Sequence, residues 1–359
     1  MASIINKAKS ALGVNSKGIV LVGQHVASTG YGLMGNTAAF YGTIGSQDQN
    51  FAAMKAALDS GANYWNGGEF YGTPEYNSLH LINEYFTKYP GDAEKVVISI
   101  KGGAKPGTLE PDGRPENVRR SIEECLRVLD GKKKLDIFEC ARVDPKVPIE
   151  VSLGEAKKYV DAGKIGGIAL SEASANSIRR AAKIIKVEGV EVEFSLWSTE
   201  ILTNGVAKAC AELDIPIIAY SPLGRGFLTG QIKKLEDMEE GDFRRHTPRF
   251  QPENFDKNLK LVEEIERLAE KKGAKPGQVG LAWVKAKAKQ HGFQVVVIPG
   301  SKNAERVKEN CVEVEVSEND MKEIDSILES IQIVGGRYPD DSLNFGDSPE
   351  LSEAQRSEL

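Results

Sequence analysis

The sequence predicts an α/β protein with a single domain, a (β/α)₈ or TIM barrel with an N-terminal hairpin and a C-terminal flap. Eight strand-like runs alternate with helical stretches, and consecutive βα units give parallel strands with right-handed crossovers. The 359 residues suit a closed barrel of eight such units. A doubly wound sheet is the alternative, but the G-x-G-x-x-G dinucleotide fingerprint is missing after the first strand.

The first barrel helix is predicted from a capping pair and an apolar stripe. Ser46 with Gln49 three residues later resembles a capping box. Phe51, Met54 and Leu58 then repeat at the spacing of one helix face. Further helices are predicted at 75–89, 115–129, 150–162, 175–186, 203–213 and 257–289. The strands are predicted at 29–35, 62–65, 96–101, 135–141, 165–171, 190–194, 216–223 and 294–298.

The barrel is predicted to occupy residues 17–334, with a short hairpin strand at 18–23. Segment 1–16 is basic but lacks the arginines usual in a transit peptide, and we expect it to be flexible or to cap the barrel. Segment 335–359 is polar, rich in acids and interrupted by Pro and Gly, which is typical of a mobile flap or a disordered tail.

Charge and cysteine content exclude several classes of partner. The formal net charge of −6 disfavours nucleic acid or an anionic membrane as the main partner, because either needs a basic face. No apolar run approaches the roughly 18 residues of a membrane span. The four cysteines are far apart and form no C-x-x-C, so neither a disulfide framework nor a bound metal is expected. These features predict a cytoplasmic protein; the sequence does not fix its oligomeric state.

Tyr71 and Lys101 are the first candidates for chemistry, because each lies at the end of a predicted strand. A lysine ammonium near a tyrosine favours the phenolate and pulls the tyrosine pKa below its usual value of about 10. This would make Tyr71 a proton donor. Considered singly, Tyr71 would ordinarily be interpreted as a packed aromatic and Lys101 as a solvated strand end.

Two later stretches suit a dinucleotide. Residues 219–230 (AYSPLGRGFLTG) combine an aromatic face, hydroxyls and a glycine-rich turn, which can hold a flat ring and wrap a pyrophosphate. Residues 298–306 (IPGSKNAER) place a hydroxyl, an ammonium and a guanidinium at a helix start, a set that suits a phosphate monoester. A loop of turn residues and a solvated helix start are the alternatives.

Taken together, these stretches resemble the aldo-keto reductase superfamily from about Tyr31 to Ile331. The segments WNGGEFYG, IFECARVD and EGDFRR resemble most closely the fungal pyridoxal reductase branch. The resemblance implies an enzyme that reduces a small aldehyde or ketone to the alcohol with NADPH, with pyridoxal to pyridoxine as the favoured reaction.

The resemblance also implies roles for individual residues. Tyr71 would be the general acid and Lys101 would lower its pKa. The implied cofactor contacts are Ser171 and Glu191 at the nicotinamide carboxamide, Tyr220 stacked on the nicotinamide, Ser221, Leu223, Gly224 and Arg225 along the pyrophosphate, Ser301, Lys302 and Arg306 at the 2′-phosphate, and Glu309 and Asn310 at the adenine.

The chain departs from the superfamily pattern at positions next to the reacting groups. Asn66 replaces the usual aspartate, Ala141 the usual histidine, and Glu172 the usual asparagine. Glu191 replaces a glutamine. Asn66 can accept a hydrogen bond from Lys101 but cannot neutralise it.

Glu139 offers a replacement for the missing charge. Side chains alternate along a strand, so if Ala141 faces inward, Glu139 does too, one layer deeper. Our hypothesis is that Glu139 pairs with Lys101 beneath Tyr71. The alternatives are that Glu139 bonds to backbone or buried water, or that a bulge turns it outward.

A second function also fits the superfamily, namely a nucleotide-binding sensor or partner-binding protein with weak turnover, as in the potassium-channel β subunits. The replacements at Asn66 and Ala141 favour this reading slightly. Tyr71 and Lys101 favour the enzyme.

Overall fold

The described part of the chain begins with an antiparallel hairpin that closes one end of a barrel. The computed structural model describes residues 18–341 and 344–356, so the segment predicted to be flexible, 1–16, lies outside the described residues. The hairpin is formed by β1 (Ile19–Leu21) and β2 (Gln24–Val26). Leu21 and Val26 pack with the apolar side chains inside the barrel, which are Tyr64, Val97, Ile137, Ala169, Ile218, Val296 and Ile298.

Within the described residues, eight parallel strands form one sheet in sequence order. They are β3 (Tyr31–Gly32), β4 (Tyr64–Gly68), β5 (Val97–Gly102), β6 (Ile137–Cys140), β7 (Gly167–Ser171), β8 (Val187–Glu193), β9 (Ile217–Tyr220) and β10 (Val295–Val297). A parallel bridge between Thr29 and Val297 joins the last strand to the first. The predicted (β/α)₈ barrel is confirmed.

Helices cover the outside of the sheet. They are α1 (Met34–Thr37), α2 (Gln47–Asp59), α3 (Ser78–Lys88), α4 (Pro115–Leu129), α5 (Ile149–Asp161), α6 (Ala175–Ala181), α7 (Val206–Glu212), α8 (Pro252–Lys271), α9 (Pro276–His291), α10 (Ala304–Asn310), α11 (Glu318–Ser330) and α12 (Glu353–Arg356). The Ser46 half of the predicted capping box of α2 is confirmed, because the Ser46 side chain accepts a hydrogen bond from the Gln49 N–H.

Two predicted elements differ from the observed ones. The helical region predicted at 257–289 consists of two helices, because Gly273 has a positive φ of 62° and Pro276 starts a new helix. The first barrel strand is shorter than predicted, since α1 already begins at Met34. Among the described residues, no helix is long and apolar enough to cross a membrane, and no cluster of acidic, His and Cys side chains could hold a metal ion.

The strap, residues 335–341 and 344–350, makes up most of the described part of the predicted flap. It begins beside Arg249, whose Nε donates to the Gly335 carbonyl at 3.2 Å. It then runs across the C-terminal ends of the strands and forms a parallel bridge between Gly346 and Ala173. Arg180 on α6 holds it by donating to the Ser348 and Pro349 carbonyls at 2.8 and 2.7 Å.

Candidate active site

The Lys101 side chain lies at the centre of a buried polar cluster inside the barrel, with 5% of its surface exposed. Its ammonium donates to Glu191 Oε1 and, at 3.2 Å, to Asn66 Oδ1. The Glu139 carboxylate is 3.6 Å away. The cluster therefore contains the carboxylate that we predicted and a second, closer one, which the resemblance had assigned to the nicotinamide carboxamide.

Asn66 joins the two carboxylates. Its Nδ2 donates to Glu191 Oε2 at 2.6 Å and to Glu139 Oε2 at 3.1 Å. Strand register explains the meeting, because directly paired residues of parallel strands face the same side, and Lys101 is paired with Glu139 across β5 and β6. Ser99, paired with Asn66, donates to Glu139 Oε2 at 2.9 Å.

Tyr71 lies above this cluster, with its ring centroid 5.6 Å from the Lys101 ammonium. A tight turn holds it there: the following residue, Gly72, has a φ of 132°, and a Cβ at this position would lie 2.3 Å from the Tyr76 carbonyl oxygen. The Thr37 hydroxyl donates to the Tyr71 carbonyl at 2.6 Å. Backbone geometry and packing thus fix the tyrosine over Lys101.

The Tyr71 pKa is not lowered as we expected. Burial raises it to about 12, and the Lys101 ammonium opposes that rise without reversing it. Glu191 and Glu139 raise it further. The expectation counted the ammonium but neither the burial nor the paired carboxylates. Tyr71 is therefore fully protonated at neutral pH.

The charges of the cluster shift one another. Burial alone would lower the Lys101 pKa, but Glu139 and Glu191 raise it well above its ordinary value. Burial and the negative charge of Glu191 raise the Glu139 pKa well above its usual range, and Lys101 only partly offsets this. These shifts favour the charged form of Lys101 and the protonated form of Glu139.

A second buried pair lies beside the first and includes the strap. Both oxygens of Glu172, which follows β7, accept hydrogen bonds from Arg337 at 2.9 Å. The Tyr220 hydroxyl donates to Glu172 Oε1 at 2.8 Å and lies 3.2 Å from the Tyr338 hydroxyl. Burial would raise the Glu172 pKa, but Arg337 holds it below its usual range. The glutamate at the usual asparagine position thus anchors the strap.

The glycine-rich turn after β9 adopts backbone conformations that favour glycine. Ser221, Gly224 and Arg225 have positive φ angles of 46°, 56° and 58°. A Cβ on Gly224 would lie 2.9 Å from Trp197, so glycine is required there. The neighbouring Leu223 is buried, with 8% of its surface exposed.

The Arg225 guanidinium, which the resemblance places along a pyrophosphate, is paired with Glu193 at 3.1 Å. It also lies 4.4 Å from the centre of the Tyr338 ring.

Of the cations that follow β10, Arg306 is exposed and Lys302 is half-buried. Arg306 donates to Gln231 Oε1 at 2.6 Å, and the Lys302 ammonium donates to the Thr43 carbonyl. Ser301, half-buried beside them, accepts from the Asn303 N–H at 3.1 Å. Glu309 and Asn310 end α10, where the Glu309 carbonyl accepts from Gln278. Ser171 lies apart, buried at the end of β7, with Arg142 3.4 Å from its hydroxyl.

Sequence reasoning missed three residues of this site: Glu193, Arg337 and Tyr338. Glu193 could have been found, because the strand VEGVEVE carries acidic residues at positions that a barrel must bury, and buried acids require cations. The strap residues carried no comparable pattern, since an Arg-Tyr pair in a polar segment reads as solvated surface.

Comparison with known proteins decides the family. The model of the aldo/keto reductase family matches residues 30–329. The chain belongs to the aldo/keto reductase family. It is therefore an oxidoreductase with the barrel of that family, and the resemblance seen in the sequence is confirmed.

Two fission yeast relatives match nearly the whole chain. Probable pyridoxal reductase 2 of Schizosaccharomyces pombe is 42% identical over 89% of this chain and 96% of its own length. Aldo-keto reductase yakc [NADP(+)] of the same yeast is 38% identical over 91% of this chain and 96% of its own. Among solved structures, a glycerol dehydrogenase from Gluconobacter oxydans shares the fold at 22% identity, with a TM-score of 0.74 over 89% of this chain and 97% of its own.

Proposed function

We propose that this aldo-keto reductase reduces a small aldehyde or ketone with NADPH in the cytoplasm, with pyridoxal to pyridoxine as the favoured reaction. The observation that carries the proposal is the Tyr71 hydroxyl group at the C-terminal end of the barrel with Lys101 buried beneath it. Active sites of this barrel lie at that end. The name of the 42% identical relative, a probable pyridoxal reductase, supports the substrate.

The residues after β10 suit the cofactor's 2′-phosphate. Lys302 and Arg306 are bonded to neutral oxygens, and neither forms an ion pair with any residue that the structure describes. Their charge is therefore available to an anion, to which charge-assisted hydrogen bonds are strong. Ser301 adds a hydroxyl. The relative named as NADP(+)-linked supports the same cofactor.

The proposed chemistry uses Tyr71 as a general acid. Bound NADPH supplies a hydride to the carbonyl carbon. The Tyr71 hydroxyl donates its proton to the carbonyl oxygen, which becomes the alcohol oxygen. A pKa of about 12 keeps this proton in place at neutral pH until negative charge develops on the substrate oxygen. The Lys101 ammonium stabilises the phenolate that remains.

A sensor or partner-binding protein with weak turnover is the second candidate, favoured by Asn66 and Ala141 in place of the usual aspartate and histidine. Mixing the NADPH-bound protein with pyridoxal, and following NADPH absorbance over one turnover, separates the two. The enzyme consumes NADPH in a burst that is stoichiometric with protein, whereas the sensor binds NADPH without consuming it.

Tyr71→Phe tests the mechanism. We expect the rate of carbonyl reduction to fall by about 10²- to 10⁴-fold, because a positioned acid contributes that much, while NADPH affinity and melting temperature stay near wild type. Tyr159→Phe, on the outer helix α5, is the matched control and should leave the rate unchanged. A folded Tyr71→Phe protein with the wild-type rate contradicts the assignment.

A further inference from the structure

The cluster around Lys101 contains one more acid than base. Lys101, Glu139 and Glu191 expose 5%, 0% and 1% of their side chains, so all three are shielded from water. If both glutamates were ionised, the cluster would carry one uncompensated negative charge. A buried charge without a partner is costly, and such groups take up a proton instead.

Asn66 fits a cluster that is already acidic. Its two Nδ2 protons go to the two carboxylates and its oxygen faces the ammonium, so every polar atom of the amide is used. An aspartate here would bring a third carboxylate within about hydrogen-bond distance of the other two, where like charges repel strongly. The amide at position 66 and the two glutamates thus depend on one another.

We propose that Glu139 and Glu191 share a single negative charge, with one proton between them, and that this pair is the counter-ion of Lys101. Glu139, Glu191 and Asn66 are then positioning residues that act on Tyr71 through Lys101. The kinetic part of this inference rests on the proposed function, in which Tyr71 is the acid. The charge sharing itself should affect the stability of the fold as well as the reaction rate.

The atoms of Glu139 agree with this assignment. Its Oε2 accepts from Ser99 and Asn66, but its Oε1, fully buried, has no hydrogen-bond partner among the residues that the structure describes. Glu191 makes the closest contact with Lys101. These contacts favour the proton on Glu139, the acid with an unbonded oxygen, and burial and the neighbouring Glu191 raise the Glu139 pKa in the same sense.

Sharing predicts that either glutamate can replace the other. In Glu139→Gln the charge stays on Glu191; in Glu191→Gln the repulsion is gone and Glu139 ionises. Each variant should lose less than about tenfold in single-turnover rate, since one charge-assisted contact is weakened. The double variant removes both carboxylates and leaves only the neutral Asn66 oxygen to oppose the effect of burial on Lys101. We expect Lys101 to lose its proton and the rate to fall by at least about 100-fold.

Asn66→Asp makes the test specific. In the wild-type background it adds a third acid and should destabilise the protein, lowering its urea midpoint and its turnover rate. In the Glu139→Gln/Glu191→Gln background Asn66→Asp supplies the one missing negative charge. There it should raise the urea midpoint and increase the turnover rate by at least about tenfold. Glu188→Gln is the control, because Glu188 lies on the same strand, β8, but pairs with Lys186. Its effect should simply add to that of Glu139→Gln.

The experiment measures urea unfolding and single-turnover reduction of pyridoxal. It compares wild type with the single variants Asn66→Asp, Glu139→Gln and Glu191→Gln, with the double Gln variant, and with the triple variant that combines all three changes. Strong non-additivity of the two Gln changes with rescue by Asn66→Asp supports the proposal. Additive Gln effects, a harmless Asn66→Asp in wild type, or a triple variant no more stable than the double would overturn it. If the double variant does not fold, a folded triple variant still supports the shared charge, and an unfolded one refutes it.

The unfolding cycle needs no substrate. If wild-type protein reduced no aldehyde, the proposed function would fail, yet the stabilities of the same variants would still decide whether the two glutamates share one charge.

Discussion

Two groups of cations lie at the C-terminal ends of the strands, and their surroundings differ. Lys101 and Arg337, at the barrel mouth, are buried and paired with carboxylates of Glu191 and Glu172. Those that follow β10, which we call the β10 end, are the half-buried Lys302 and the exposed Arg306, and both are bonded to neutral oxygens. The mouth is neutralised from within the protein, whereas no carboxylate among the described residues neutralises the β10 end.

Because of this difference, substitutions in the two regions should affect different properties: stability at the mouth and ligand affinity at the β10 end. A buried pair that loses one partner leaves a charge without compensation, so changes at the mouth should be felt in folding. An exposed cation with no carboxylate contributes little to folding, so changes at the β10 end should be felt only when the anionic ligand binds.

The largest effect is expected at the mouth. Arg337→Ala should lower the free energy of unfolding by about 3–5 kcal/mol, because it strands the buried Glu172 carboxylate. Urea unfolding measures this change. Arg267→Ala is the matched control, since Arg267 is 65% exposed and pairs with Glu264 on the helix surface, and it should cost less than about 1 kcal/mol.

The same variant has a characteristic pH dependence. The folded-state pKa of Glu172 is lowered, so its ionised pair adds stability above the unfolded glutamate pKa of about 4.3, and this stability is lost as pH falls through the folded pKa. Without Arg337, burial raises the Glu172 pKa, so the deficit of Arg337→Ala should be largest near neutral pH and shrink as pH falls toward the lowered wild-type pKa, where Glu172 is protonated in both proteins. A deficit that is constant with pH would mean that Arg337 stabilises the strap by packing alone.

A smaller effect is expected at the β10 end. Arg306→Ala should weaken NADPH relative to NADH by about 10- to 150-fold, the equivalent of a charge-assisted hydrogen bond of about 1.5–3 kcal/mol. Its urea midpoint should match wild type. Lys308→Ala, on the same helix but paired with Glu305, serves as control. An unchanged NADPH to NADH affinity ratio would remove Arg306 from the phosphate site.

The smallest effect is that of salt. Raising ionic strength from about 0.01 to 0.15 M shortens the screening length from about 30 to 8 Å. We expect NADPH affinity to fall several-fold and NADH affinity to change little, because only the 2′-phosphate meets the exposed cations. Equal losses for both dinucleotides, measured by titration, would place the salt-sensitive contact elsewhere.

The β10 end is easier to find in the sequence than the mouth, because its residues are close together in the chain. Ser301, Lys302 and Arg306 fall within one short segment, and the boundaries of α4, Pro115–Leu129, agree with those predicted from periodicity. The partners at the mouth lie far apart: Lys101 and Glu191 are separated by 90 positions. Only the register of the strands brings them together, and no pattern within one segment encodes it.

The alternation of side chains along strands nevertheless predicted part of the mouth. It placed Glu139 inside the barrel and near Lys101, where the structure has it at 3.6 Å. Alternation could not show that Glu191 lies closer to Lys101 than Glu139 does, because that depends on how deep each residue lies on two different strands. The prediction of a lowered Tyr71 pKa was wrong for a related reason, since burial and neighbouring charges are properties of the assembled barrel.

The pairing of Glu172 with Arg337 has a consequence for the order in which the protein is made. The two residues are 165 positions apart. A ribosome adds roughly 5–20 residues per second, so Glu172 is synthesised about 8–30 s before its partner. Until Arg337 leaves the ribosome, burying Glu172 would leave its carboxylate uncompensated. We therefore expect the β7 edge of the barrel mouth to stay open during translation and to close last.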